Sequence, residues 1–567
     1  MSRLLLFCVL LTILCACSHT EYLDIGESPQ ANIAPDARVV IVQSSGLFDG
    51  VSSEELALLC ADMPETAYSQ FAAKLLCYQS LLSQPSSALF AGGEQAISEF
   101  NRLISLAMIA YQTLPAEELA FGDIRINLLN NHFGYETFFL VEQMRSIDPR
   151  LPINISGEMG VPVVAYRKNF GVTADKHYPQ EGLFHPASIS LERVEFADEA
   201  IEIDLRLVHT NKEYIRLEQE EYAVRFSPNA AYLVLVENAT LDDLRFQGFI
   251  NPQKVDERMG IFAINPIDRN KTPILMIHGL NSDPLVWRYI THSLLTTPEL
   301  NERYQILHAF YASGTPPFYN AMRLRRELNH FIDYYNVPTD EQSLVVIGHS
   351  MGGIIGNTLV SDSQYALWDA AFTVRPEHIN SELKSQIEEV FVFQPMFDYN
   401  QIFFIDTPHR GSDTAQSFIG FVSSSLVTLP QNVVSLFSGF VKEVGIDKLT
   451  ARMLPFLGAR TATSIEVLRP DHPLTDALSD LPINGDAFSI IGSNGELACE
   501  SEFQCMNITD GVVEYTSALH PQSRGRLIVP SRHNSYQHEK TISFIVDILR
   551  PTQISGFQSD ASLTNNP

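Results

Sequence analysis

Basic side chains are scarce in this chain. Lys and Arg number 38 against 67 Asp and Glu, for a formal charge of −29, and a surface of that sign repels nucleic-acid phosphates and anionic lipid faces alike. No nucleic-acid partner is expected, although an acidic exterior can still surround an apolar cleft. Internal repeats and low-complexity blocks are missing, so a stacked-repeat architecture is not expected. The apolar run near the N-terminus, Leu4 to Ile13, is too short to span a bilayer. Cysteine is limited to seven residues, and no histidine stands at ligand spacing from the locally paired ones; neither a metal nor an organic cofactor is expected. What is present is globular in composition, 45% apolar and 19% charged. At 567 residues the chain exceeds one ordinary core, and about two or three domains are expected.

Arg3 precedes the run Leu4 to Ile13, and Leu14-Cys15-Ala16-Cys17 follows. A basic residue before a short apolar core is the layout of an export signal. The residues Leu14 to Cys17 resemble the bacterial lipobox. That resemblance implies a lipoprotein signal peptide over 1–17, a Cys17 that carries palmitate-type acyl chains and anchors the protein to a membrane, and, because Ser18 is not an aspartate, an outer-membrane address in a bacterial cell envelope. A plain cleaved signal peptide is the alternative. Cys8 and Cys15 would leave with the signal, so Cys60, Cys77, Cys499 and Cys505 remain as two local pairs. They read as disulfides of an oxidising compartment, with four reduced core thiols as the alternative.

From Ser18 the chain is polar and without period, a tether over 18–50. Apolar residues then recur at helical spacing over Glu54 to Cys60, Tyr68 to Leu82 and Glu94 to Leu114, which predicts a mainly helical region over 51–160. Ile201, Ile203, Leu205 and Leu207 alternate with Glu202, Asp204 and Arg206, and Tyr222 to Phe226 and Tyr232 to Val236 read similarly. A strand-rich region over 161–255 follows from that alternation. Over 256–551 the order becomes strand, turn, helix. Apolar runs at Pro273 to Ile277, Tyr304 to Phe310, Leu344 to Ile347, Ile402 to Ile405, Phe488 to Ile491 and Arg526 to Val529 alternate with helix-like segments such as Ala321 to Tyr335, the signature of a parallel α/β sheet. An insertion over 414–483, rich in Phe, Val and Leu, is either a cap or lid over the site or a set of helices on the core. Residues 552–567 form a tail.

The stretch Leu344 to Gly353, LVVIGHSMGG, places Ser350 between Gly348 and Gly352 directly after a β-branched run. A strand that turns sharply into a helix at G-x-S-x-G holds the serine hydroxyl up at the sheet edge. Serine is a weak nucleophile at neutral pH, so it needs an imidazole to take its proton and a carboxylate to orient that imidazole. Asp510, in the turn Thr509 to Val513, and His533, in the loop after Arg526 to Val529, follow the serine in that order. Asp406, at the end of Ile402 to Ile405, is the alternative acid. His538 falls within the last helix, which Ser535 is expected to cap, and His520 precedes the last strand. Oxyanion donors are expected from the backbone of Met351, just after the serine, and of Leu280, in the loop after Pro273 to Ile277.

Together, His278-Gly279-Leu280, the elbow Gly348 to Gly353, Thr407-Pro408-His409-Arg410-Gly411-Ser412 and the Asp510 and His533 loops resemble the lipase-like branch of the α/β-hydrolase superfamily over about Asp256 to Arg550. The resemblance implies an α/β fold, a mainly parallel sheet with flanking helices, behind a helical and strand-rich N-terminal region. It implies a serine esterase that cleaves acyl or lipid esters through an acyl-enzyme. Acyl transfer and thioester cleavage use the same triad, and a catalytically silent envelope binding or assembly protein on this scaffold is the non-enzymatic alternative. Asp406 stands where many relatives have a small residue, which keeps both acids in play.

Overall fold

The protein is described here by a computed structural model covering residues 21–26, 51–84, 93–113, 124–196, 201–239 apart from 211 and 219, 255, 258–412, 431–456, 464–495 and 502–550. The signal segment with Cys17, most of the tether, Cys499, the tail and positions 414–430 and 457–463 of the expected insertion lie outside the described residues. The chain divides into two compact units, one within 1–166 and 186–242, the other within 167–185 and 243–567.

The strands of the first half are β1 (Leu23–Ile25), β2 (Ile124–Leu129), β3 (Thr137–Leu140), β4 (Met144–Ser146), β5 (Val161–Arg167), β6 (Leu183–Phe196), β7 (Ile201–Val208), β8 (Tyr214–Leu217) and β9 (Glu220–Ala223). Five of them form one sheet in the order β2-β7-β6-β5-β3. Helices Ser53–Asp62, Tyr68–Leu82 and Gly93–Thr113 precede that sheet in sequence. Phe71, Leu75, Phe100, Leu103 and Met108 share a core with Ile124, Ile203 and Leu205, so the apolar stripes read at helical spacing are core stripes. A disulfide joins Cys60 of the first helix to Cys77 of the second.

Two expectations are corrected here. Among the described residues, the α-helices of region 51–160 end at Thr113, and β2, β3 and β4 fall within its second half. Tyr232 to Val236 is not a strand but part of helix Ala230–Asn238. Every residue from Ala230 to Val236 is buried, and a helix apolar on all sides carries no polar face from which its period could be read.

The second unit is built on seven strands, adding β10 (Gly260–Ala263), β11 (Thr272–Ile277), β12 (Tyr304–Phe310), β13 (Leu344–His349), β14 (Asn400–Ile405), β15 (Gly485–Gly492) and β16 (Ser523–Val529), in the order β10-β12-β11-β13-β14-β15-β16. All neighbours pair in parallel except β10 with β12. This is an α/β architecture with a mixed sheet. The antiparallel edge strand β10 was not among the expected elements, because Gly260 to Ala263 is only four residues long and lacks a periodic pattern. The inner strands carry long apolar runs, as expected of a parallel sheet covered on both faces; β13 and helix Met351–Val360 are buried at every residue. Helix Pro317–Tyr335 starts with proline in its first turn and stops at Asn336, which takes the left-handed conformation at φ 52°.

Register decides where the loops emerge. Ile277 pairs with Gly348, His349 with Ile405, Ile405 with Ile490 and Gly492 with Val529, so the carboxyl ends of five neighbouring strands lie along one edge of the sheet. In open α/β sheets ligands bind outside those ends.

Candidate active site

Ser350 follows β13 with φ 53° and ψ −126°, and helix Met351–Val360 starts at the next residue. A left-handed φ at a non-glycine residue costs on the order of 1–3 kcal/mol, and here it turns the side chain out of the sheet. The flanking glycines are demanded by contact. A side-chain carbon on Gly352 would stand 2.1 Å from the Ile277 carbonyl oxygen, and one on Gly348 would stand 2.6 Å from Gly353 Cα. The Ser350 N–H donates to the Ile405 carbonyl at 2.9 Å, which fixes the elbow to β14.

Beyond β16, His533 lies in a loop that places its ring over the elbow. Its Nε2 is 2.9 Å from Ser350 Oγ and its Nδ1 is 2.6 Å from Asp510 Oδ2. Asp510 in turn accepts the Val512 and Val513 N–H groups on Oδ1, both at 2.7 Å, and is only 2% exposed. The carboxylate is thus held rigidly while its other oxygen faces the imidazole. Burial works against a charge on His533, but the hydrogen bond and charge of Asp510, with a further contribution from Asp406, outweigh it and raise the pKa above the ordinary imidazole value. That is the environment of a base able to hold a proton between two steps.

Met351 is the first residue of its helix, so its N–H has no intrahelical acceptor and lies at the positive end of the helix. The loop carrying Leu280 lies beside the serine, since a side-chain carbon on Gly279 would stand 3.0 Å from Ser350 Cβ. His278 is fully buried and stacks on Tyr311 with ring centres 4.3 Å apart. Tyr311 donates its hydroxyl to the His278 carbonyl, and the Asn281 N–H donates to Ser313 Oγ at 3.0 Å. His278 therefore shapes the loop and is placed to stiffen it.

Asp406 lies near this constellation, but its carboxylate accepts from the Gly492 N–H, the Ser535 N–H and the Ser535 hydroxyl rather than from the imidazole. Burial, with the charge of Asp510 adding and His533 opposing, pushes its pKa up to about 7. Ser535 is thereby committed to Asp406 and does not cap the last helix as expected; it opens a short turn, and His538 caps helix Glu539–Leu549 by accepting from the Lys540 N–H. His520 stacks on Phe404 and meets His409 edge-on. Cys505 is disulfide-bonded.

Two neighbours were not singled out from the sequence. His349 packs 4.9 Å from the His533 ring, and Tyr536 stands edge-on 4.6 Å from His349, so together they wall one side of the base. His349 belongs to the elbow motif and could have been found there; Tyr536 carries no sequence signal. His349, Asp406 and His533 bring potential ligand atoms within 4.8 Å of one another, but the His533 nitrogens face Asp510 and Ser350, and the Asp406 oxygens face Gly492 and Ser535.

No protein-family model matches the sequence, and no curated protein does. Among solved structures the chain is similar to a Bacillus licheniformis lipase in mature form, at 18% identity over 51% of this chain and 98% of that one, with a TM-score of 0.27. It is similar to a carboxylesterase structure from the thaumarchaeon Nitrososphaera gargenis at 17% identity, over 51% and 94% of the two chains, with a TM-score of 0.26. An esterase from Rhodococcus sp. ECU1013 matches at 12% identity over 51% and 93%, also with a TM-score of 0.26. These neighbours are lipases and esterases, and each is similar to about half of this chain.

Proposed function

We propose that the second unit is a serine hydrolase of the α/β-hydrolase type that cleaves carboxylic esters with an acyl or other apolar portion. The observation that carries this reading is the His533 ring, bonded at once to Ser350 Oγ and to Asp510. Ser350 Oγ attacks the ester carbonyl as its proton passes to His533 Nε2, and Asp510 stabilises the imidazolium. The Met351 and Leu280 amides receive the oxyanion of the tetrahedral intermediate. On collapse the alcohol leaves with the proton from Nε2, and Ser350 carries the acyl group. Water then gives a proton to Nε2 and attacks the acyl carbon, and the carboxylic acid departs as Ser350 regains its proton. A lipid anchor at Cys17 and an outer-membrane address complete the proposal, and the Cys60–Cys77 disulfide supports an oxidising compartment for the mature chain.

The test is a fluorophosphonate serine label together with a panel of short and long p-nitrophenyl esters. Wild type should take up one label and turn over esters, while Ser350→Ala does neither. A wild type that stays unlabelled beside a reactive control esterase overturns the enzyme reading. For the anchor, Cys17→Ser should move the protein from the membrane to the soluble fraction; unchanged fractionation refutes lipidation.

A further inference from the structure

Asp406 and the residue before it join the elbow, the end of β15 and the His533 loop. The residue before it, Ile405, accepts the Ser350 N–H at 2.9 Å, and the Asp406 N–H donates to Ile490 at 2.9 Å. Its Oδ1 accepts from the Gly492 N–H at 2.8 Å, at the end of the strand that leads to Asp510, and from Ser535 Oγ at 2.9 Å; its Oδ2 accepts the Ser535 N–H at 3.0 Å. The backbone takes the left-handed region at φ 49°, which among side chains Asp and Asn tolerate best. The side chain is fully buried. A few residues on, the same loop holds the far side of the acid turn. The His409 N–H donates to the Ser517 carbonyl at 3.0 Å, the Arg410 N–H to Ser517 Oγ at 3.0 Å, and Ser412 Oγ to the Val512 carbonyl.

We propose that Asp406 is the positioning residue of this active site: its carboxylate ties the His533 loop to the end of β15, and so holds the imidazole between Asp510 and Ser350. The proposal rests on the serine-hydrolase reading of that triad. A buried carboxylate serving only the fold could accept hydrogen bonds from any neighbour; this one accepts from the base loop and from the strand leading to the acid loop. The titratable groups around it are Asp510, His533, His349 and Tyr536, so its charge also acts on the base.

Asp406→Asn keeps the backbone conformation accessible, removes the charge and sets an amide N–H against the Ser535 N–H. It should lower kcat for a p-nitrophenyl ester by about 100-fold, the scale of a misplacement near 1 Å, with KM little changed. Asp510→Asn should cost about ten-thousand-fold. With the Asp406 charge gone, the His533 pKa should fall, which moves the acidic limb of kcat/KM to lower pH and is seen directly by NMR titration of labelled histidine. Ser535→Ala, which removes one of the bonds and leaves the charge, should lower kcat less. It also serves if Asp406→Asn fails to fold, as read by thermal melting. Wild-type kcat with an unmoved His533 titration overturns the proposal, and so does a loss as large as that of Asp510→Asn, which would make Asp406 the catalytic acid. Should wild type neither label nor turn over esters, the hydrolase reading falls, while the His533 titration still decides whether Asp406 acts on the base.

Discussion

His533 and His538 stand five positions apart in sequence and differ entirely in surroundings. One bridges Ser350 and Asp510; the other caps the last helix from its exposed end. His533→Ala should therefore abolish ester turnover, whereas His538→Ala should retain most of it and lower the melting temperature slightly, through a lost cap worth on the order of 1 kcal/mol. Equal losses of activity would contradict the geometry. Because the His533 pKa is raised and the base must be neutral to accept the serine proton, kcat/KM should rise with pH through a limb above about 6.5, the unperturbed imidazole value. Asp406 makes folding stability, rather than rate, depend on pH. Its proton is held more tightly in the folded chain, up to about 7 from 3.8, so the native state binds more protons than the unfolded state across that window. Unfolding free energy should then decline as pH rises from about 4 to 7. Melting curves of Asp406→Asn against wild type should show a flatter decline over the same range.

Among the elements, the turn between β13 and helix Met351–Val360 leaves little room for change. Gly352→Ala puts a methyl group 2.1 Å from a carbonyl oxygen of β11, a contact that only a shift of the elbow can relieve. Ester turnover and fluorophosphonate labelling should both be lost, with a fall in stability of about 1–3 kcal/mol as for other overpacked sites; wild-type labelling would show that the turn can yield. Six of the seven strands of this sheet were legible, β10 being the exception, because a run such as Leu344 to Ile347 is short, rich in β-branched residues and followed by glycine. Helix Ala230–Asn238 was not, since its buried surface leaves no polar face. The last helix was placed correctly but its start was not, because Ser535 has a stronger partner in Asp406, 129 positions away, than in a helix N-terminus.

For the molecule as a whole, the first unit is stapled by Cys60 and Cys77, 17 positions apart. Closing a loop of that size contributes about 3 kcal/mol in the chain-entropy account, so Cys60→Ala with Cys77→Ala, or added reductant, should lower the melting transition of that unit; an unchanged transition would show that its core suffices. The sequence by itself determined the elbow, the parallel strand grammar and the chain order of serine, acid and base, because each of these is written in neighbouring residues: glycine beside serine, or an apolar run beside a turn. Tertiary structure alone decided which aspartate faces the base and which one braces it. Ser350 and His533 lie 183 positions apart, and Asp510 lies 23 positions from His533. Asp406 directly follows β14 and Asp510 stands in a turn well past β15; chain order favours Asp510, and only the folded loops bring its carboxylate to His533. A hydrogen bond depends on position to within a fraction of an ångström, and that position is set by the packing of strands distant in the chain.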